Sequence, residues 1–255
     1  MEIMVSDSVP PLVTVSGEVD FTNSAVLSEE IGRLAGNGRP SVDLDLIGIE
    51  FIDSSGIRAL LQAAARLKKR GGDLRILSFG DSVRSPLVHL GLMEFFGLSA
   101  HEVPPRRSIE PSVGRDEGRW LISSFTVPPQ ASSGRIIRQR LGQLLADLPL
   151  TEAEVADVKL ALGEATANAV KHGSRKGEGL ISVRCVADSG ALTLEVTDMG
   201  GGFDRQAVAE PDFSDLPTGG MGIAIMEMVM DEVTFECNQG TTVRMIKRFA
   251  PVPEA

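Results

Sequence analysis

The sequence predicts two layered domains in series: an α/β domain whose sheet is covered by helices on one side, and then an α+β domain. Three observations predict this. Segments that alternate apolar and polar residues, the period of half-buried strands, interleave with segments of helical period. A charged, Pro-rich stretch without periodicity at 101–117 separates residues 1–100 from 118–255 of the 255-residue chain. In the second part, two strand patterns flank Asp188-Ser189-Gly190, a hairpin signal.

The elements follow in order. Residues 11–16 and 42–48 alternate as strands, and 24–35 between them read as a helix with Asn23 or Ser24 as cap and Gly36-Asn37-Gly38 as stop. After Asp53-Ser54-Ser55-Gly56, residues Ile57, Leu60, Leu61, Ala64 and Leu67 recur at the spacing of a helix with one buried face. Gly71-Gly72 ends that helix, and 74–77 form another strand. The second domain opens with a strand near Trp120–Val127 and a helix from about Ser132 to Asp147. Thr151 with Glu154 three residues on is a capping box for a long helix that runs to about His172 and stops at Gly173. Strands at 180–187 and 191–198, a Gly-rich loop, a short helix after Gly222 and strands at 232–237 and 242–248 complete it.

Composition narrows the function. Hydrophobic residues at 42% and charged residues at 24% describe folded protein and exclude global disorder. The formal charge of -10 argues against nucleic acid as a partner, since phosphate backbones demand a basic face. Neither half hides a basic module: residues 1–100 carry 13 acidic and 9 basic residues. No run of apolar residues is long enough to span a bilayer, and Asp7 and Pro10-Pro11 interrupt the start as a secretory leader, so a cytoplasmic, membrane-free chain is expected. Cys185 and Cys237 are expected as reduced thiols, and three dispersed histidines make no His-rich metal site.

Four pieces of the second domain carry candidate chemistry. Glu164 and Asn168 lie one turn apart on a shoulder of the apolar stripe of the long helix. A carboxylate and an amide oxygen there suit a hydrated Mg²⁺ and a nucleophile, although an ordinary half-exposed helix edge has the same look. Asp198 ends a strand before Gly200-Gly201-Gly202, where backbone N–H groups can approach a ligand and a carboxylate can accept from an exocyclic amine; a tight turn with a solvated Asp is the other reading. Thr218-Gly219-Gly220-Met221-Gly222 opens a helix and suits an anion. Asn238-Gln239-Gly240-Thr241-Thr242 leads into the last strand. No Gly-Lys-[Ser/Thr] follows the glycines, and no G-x-G-x-x-G follows a first strand, so P-loop and Rossmann sites are excluded. Met221, Met226, Met228 and Met230 read as adaptable core.

In this order the four pieces resemble the GHKL ATPase superfamily. Glu164-Ala-Thr-Ala-Asn168-Ala-Val-Lys-His172-Gly173 and Gly220-Met-Gly-Ile-Ala-Ile-Met226 are most similar to its anti-sigma-factor serine kinases. The resemblance covers about 118–248 and implies the GHKL α/β sandwich. It also implies bound ATP and Mg²⁺, with Glu164 as general base, Asn168 as Mg²⁺ ligand and Asp198 reading adenine. Gly200 and Gly202 would shape the adenine pocket, Gly220 and Gly222 hold phosphates, and Thr242 support the base. Arg135, in Ser-Gly-Arg-Ile-Ile, corresponds to a phosphate-side arginine on that resemblance and to a surface arginine on its own. A histidine kinase needs a phosphoacceptor histidine on a dimerising helix; the upstream candidate, His101, lies in the Pro-rich stretch, so that reading fails.

In the first domain, Asp53-Ser54-Ser55-Gly56 reads locally as a helix N-cap. With Val15-Ser-Gly17-Glu-Val-Asp20 and Phe51-Ile-Asp53 it resembles the STAS domain of anti-sigma-factor antagonists over about 8–100, which implies a mixed sheet with helices on one side. On that resemblance Ser55 is the phosphoacceptor, with Asp53 and Asp20 beside it. Together the resemblances imply a partner-switching regulator: residues 1–100 an antagonist domain, 101–117 a linker, and 118–255 an ATP-dependent protein serine kinase acting on a STAS serine, its own Ser55 included. The implied partners are a sigma factor or other regulator and a STAS antagonist, with dimerisation through the ATPase domain. The alternative is a non-catalytic switch in which ATP or ADP only sets partner affinity.

Overall fold

The computed structural model describes residues 1–36, 41–98, 121–173, 179–188, 190–202, 221–237 and 240–249, and its elements fall into two compact units. In the first, β1 (Glu2–Val5), β2 (Leu12–Val19), β3 (Val42–Ile52) and β4 (Leu74–Phe79) form a sheet in the order β1-β2-β3-β4. The edge strand β1 runs antiparallel to β2, and β2, β3 and β4 are parallel, so the sheet is mixed. Helices α1 (Ser24–Gly36), α2 (Ser54–Lys69) and α3 (Asp81–His89) complete the unit. One face supplies the core: Val13, Val15 and Val19 of β2 and Val42, Leu44 and Leu46 of β3 are fully buried with Leu27, Ile31, Ile57 and Leu60 of the helices. On the open face Arg75 of β4 donates two hydrogen bonds to Asp43 of β3, at 2.7 and 2.8 Å.

Parallel β2, β3 and β4 deliver their following loops to one end of the sheet. There Gly56 lets the first turn of α2 lie on the strands, because a Cβ at that position would sit 2.5 Å from Ile52 Cγ1 and 2.9 Å from Val19 Cγ1. Two elements lack a sequence signal. The four residues of β1 are mostly exposed and so show no alternation, and α3 contains Pro86, which reads as a breaker. The strands also extend past their alternating stretches, β2 to Val19 and β3 to Ile52.

The second unit contains β5 (Leu121–Val127), α4 (Ser133–Leu145), α5 (Glu152–His172), β6 (Ile181–Ala187), β7 (Ala191–Asp198), α6 (Met221–Val229), β8 (Glu232–Cys237) and β9 (Thr241–Arg248). Its sheet is antiparallel throughout, in the order β5-β6-β7-β9-β8. Thr151 and Glu154 form the expected capping box at the start of α5. Alternate residues of β6 and β7 (Ile181, Val183, Cys185, Leu192, Leu194, Val196) are buried with Val158, Leu162 and Ala165 of α5. Met221, Met226 and Met230 belong to this core, whereas Met228 is exposed. Neither cysteine is in a disulfide; burial pushes the pKa of the Cys185 thiol up to about 11, while Cys237 is exposed. Among the described residues no helix is long and apolar enough to cross a membrane. The stretch 101–117 lies outside the described residues.

Candidate functional site

The first half of the site forms where α5 meets α6. Glu164 is a carboxylate on the buried side of α5, only 3% exposed. It reaches the first turn of α6 because residue 222 has no side chain: a Cβ there would lie 2.5 Å from Glu164 Oε2. The half-buried Asn168, one turn further along α5, brings its Nδ2 within 3.7 Å of the same point. An acid and an amide from one helix thus converge on the N-terminal turn of another. Backbone N–H groups in such a turn lack intrahelical partners, and the helix dipole adds positive potential. Anionic oxygens are favoured there.

Asp198, at the end of β7, makes the second half. Its Oδ1 accepts from the backbone N–H of Gly200 at 2.8 Å and of Thr241 at 3.3 Å. Among the described residues, the donors to Asp198 both reach Oδ1. The walls around it are backbone. A Cβ on Gly173 would strike Asp198 Cβ, one on Gly240 would strike the Asp198 carbonyl, and one on Gly200 would sit 2.7 Å from Gly173 Cα and the His172 carbonyl oxygen. Gly202 adopts a left-handed φ of 72° as the chain turns away. Thr242 Oγ1 lies 3.0 Å from Thr197 Oγ1, its partner in register, while Asp198 is paired with Thr241.

The structure thus brings Glu164, Asn168 and Gly222 together at one point and Asp198, Gly200 and Thr241 around another; Thr242, the expected residue, instead pairs with Thr197, and because successive strand residues alternate faces it lies across the sheet from Asp198. Arg135 is exposed on α4, and Gly220 lies outside the described residues. Gly173 and Gly240 have roles that their sequence context, a helix stop and a turn, does not reveal; the signal for both is a glycine whose neighbour in space is Asp198. Among the described residues no three His, Cys, Asp or Glu side chains cluster as a metal site. The side-chain oxygens of Asn168 and Glu164 do fit Mg²⁺, which keeps several waters and takes few protein ligands beside phosphate.

In the first unit, Asp53 caps α2: its Oδ1 accepts from Ser55 N at 2.8 Å and Gly56 N at 3.0 Å, and its Oδ2 from Phe21 N at 2.9 Å. Burial pushes this carboxyl above its ordinary range; the backbone donors oppose that shift, and the negative charge of Asp20 adds to it. Asp20 is itself buried and accepts from Thr22 N at 3.0 Å, while Glu50 is exposed. Of the two serines in the first turn, Ser54 is buried and Ser55 is half-exposed. Ser55 is the more accessible of the two. A cleft of about 460 Å³ between α1 and α2 is lined by Arg66 and Arg70, at the opposite end of α2, and involves none of these groups.

Comparison with known proteins matches both units. Residues 1–105 match the STAS domain, and 127–247 match the histidine kinase-like ATPase domain. An anti-sigma F factor of Clostridium botulinum (strain Alaska E43 / Type E3) is 38% identical over 119 residues, 44% of this chain and 83% of that protein. The serine-protein kinase RsbW of Bacillus pumilus (strain SAFR-032) is 32% identical over 137 residues, 49% of this chain and 85% of that protein. A solved anti-sigma factor antagonist from Mycobacterium paratuberculosis aligns over 39% of this chain and 85% of its own at 29% identity and a TM-score of 0.35. The chain belongs, through its GHKL ATPase domain, to the family of anti-sigma factors and their serine kinases, and carries a STAS domain in front of it.

Proposed function

We propose that this chain is a partner-switching regulator whose ATPase domain, residues 118–255, binds ATP with Mg²⁺ and phosphorylates a serine of a STAS domain, its own Ser55 being the acceptor within residues 1–100. The observation that carries this reading is the convergence of the buried Glu164 carboxylate and Asn168 on Gly222 at the start of α6. A passive nucleotide clip has no need of a carboxylate held at that point.

In this reading Glu164 accepts the proton from the serine Oγ as that oxygen bonds to the γ-phosphorus. The bond between the γ-phosphorus and the oxygen bridging to the β-phosphorus breaks, and ADP leaves with the bonding pair. The N–H groups of the first turn of α6 face the phosphoryl oxygens as charge builds on them. Asp198 Oδ2 accepts from the adenine amine, with its other oxygen fixed by Gly200 and Thr241. When bound, Mg²⁺ held by the Asn168 side-chain oxygen neutralises phosphate charge.

The output is electrostatic. Phosphate adds about 1.5 to 2 negative charges at pH 7 next to Asp53 and Asp20. A partner docked over the start of α2 must then desolvate a dianion, and it leaves. The partners that fit are a sigma factor or similar regulator on the ATPase domain and a separate STAS antagonist as a second acceptor. The test is incubation with ATP labelled at the γ-phosphate, followed by separation of protein-bound label from free phosphate. Label on the protein is the expected result. Label released only as free phosphate, or ATP bound and recovered intact, overturns the kinase reading, the latter in favour of a non-catalytic switch.

A further inference from the structure

Glu164 meets Gly222 only while α6 keeps its axial position along α5, and a second contact on the same pair of helices holds that position. Lys247, on β9, donates from Nζ to Asp157 Oδ2 at 3.0 Å and to the Val229 carbonyl at 2.7 Å. Its side chain is 13% exposed and that of Asp157 7%, so the contact is largely withdrawn from water. Asp157 precedes Glu164 by seven residues on α5, and Val229 follows Gly222 by seven on α6. Seven residues are two turns less about 20°, or about 10.5 Å along a helix axis. The two contacts therefore lie on one face of each helix, equally spaced, with the helices running in opposite directions.

We propose that Lys247 is a positioning residue for the nucleotide site: it ties the C-terminal end of α6 to Asp157 and so seats Gly222 and the first turn of α6 against Glu164. The proposal rests on the reading of that turn as the phosphate-facing element. Three physical points support it. The last carbonyls of a helix lack partners, and an ammonium there complements the dipole. A buried ion pair contributes little net stability compared with apolar replacements, so its best-attested use is to fix register. Finally, β9 links both halves of the site, since its first residue, Thr241, donates to Asp198 and its seventh, Lys247, holds α6.

The test uses the full chain with Lys247→Met, Lys247→Met with Asp157→Leu, and Lys247→Arg. The single Met variant leaves the buried Asp157 carboxylate without the Lys247 ammonium and loses stability, so the double variant, which removes both charges, decides. The expected result is a double variant that unfolds near the wild-type Tm, binds a non-hydrolysable ATP analogue about tenfold more weakly, and shows a displaced Gly222 amide resonance about 10 Å from the substitution. Lys247→Arg, which keeps a donor for Asp157 and Val229, stays within about twofold of wild type. A double variant with wild-type analogue affinity and an unmoved Gly222 resonance overturns the proposal. If the wild-type chain binds no analogue, the nucleotide reading fails, and the Gly222 resonance alone still decides whether Lys247 sets the seat of α6.

Discussion

Glu164 and Gly222 stand 58 positions apart, and the absence of one methyl group lets them meet. Replacing Gly222 with Ala separates site geometry from stability. Gly→Ala inside a helix favours the helix by up to about 1 kcal/mol, but here the new Cβ must push the Glu164 carboxylate aside. A displacement of about 1 Å costs phosphoryl transfer on the order of 100-fold. Gly222→Ala should therefore keep its Tm within a few degrees while the rate of phosphate incorporation falls about 100-fold, as thermal unfolding and a timed phosphorylation assay will show. An unchanged rate contradicts the placement of Glu164. The residue types of this site are legible in the sequence, because a carboxylate and an amide one turn apart and an acid before three glycines are local patterns. Their burial and meeting points are not. Glu164 reads locally as half-exposed and is buried, and the glycines enclosing Asp198 come from the end of α5 and two different turns.

Among the elements, those with strong end signals are the ones legible in advance. The capping box of α5, the Asp53 cap of α2 and the period-two strands β6 and β7 each rest on spacings within one short window. β1 and α3 lack such signals, and the Lys247–Asp157 contact joins residues 90 apart, beyond any periodicity. The cap of α2 carries a pH dependence. Burial raises the Asp53 pKa above its ordinary 3.8, so its folded form holds a proton more tightly than the unfolded chain does. The stability this contributes is fully present below the unfolded pKa and is lost as pH rises through the raised folded value. Asp53→Asn removes that titration while keeping an oxygen for Ser55 and Gly56. The Tm of wild type minus that of Asp53→Asn should fall as pH is raised from about 3 to 6. A difference that stays flat or rises across that window contradicts the burial argument.

At the scale of the whole molecule, a STAS domain and an anti-sigma-type ATPase domain stand in one chain, so the acceptor serine and the transferring site of the proposed reaction are covalently joined. Fully extended, a stretch of 17 residues such as 101–117 spans at most about 55–60 Å, and joining two domains in one chain turns their encounter into an intramolecular one. No tight bimolecular docking is then needed for Ser55 to meet the ATPase domain of its own or a neighbouring copy. Each phosphate adds to a chain already at a formal charge of -10, so the modified state repels acidic surfaces more strongly than the unmodified one. In the proposed reaction Glu164 directs phosphate to Ser55. Intact mass after incubation with ATP and Mg²⁺, for wild type, Ser55→Ala and Glu164→Ala, tests it most directly. A single added phosphate is expected in wild type and none in either variant. A wild-type chain that binds ATP yet gains no mass, or a phosphate that persists in either variant, contradicts it.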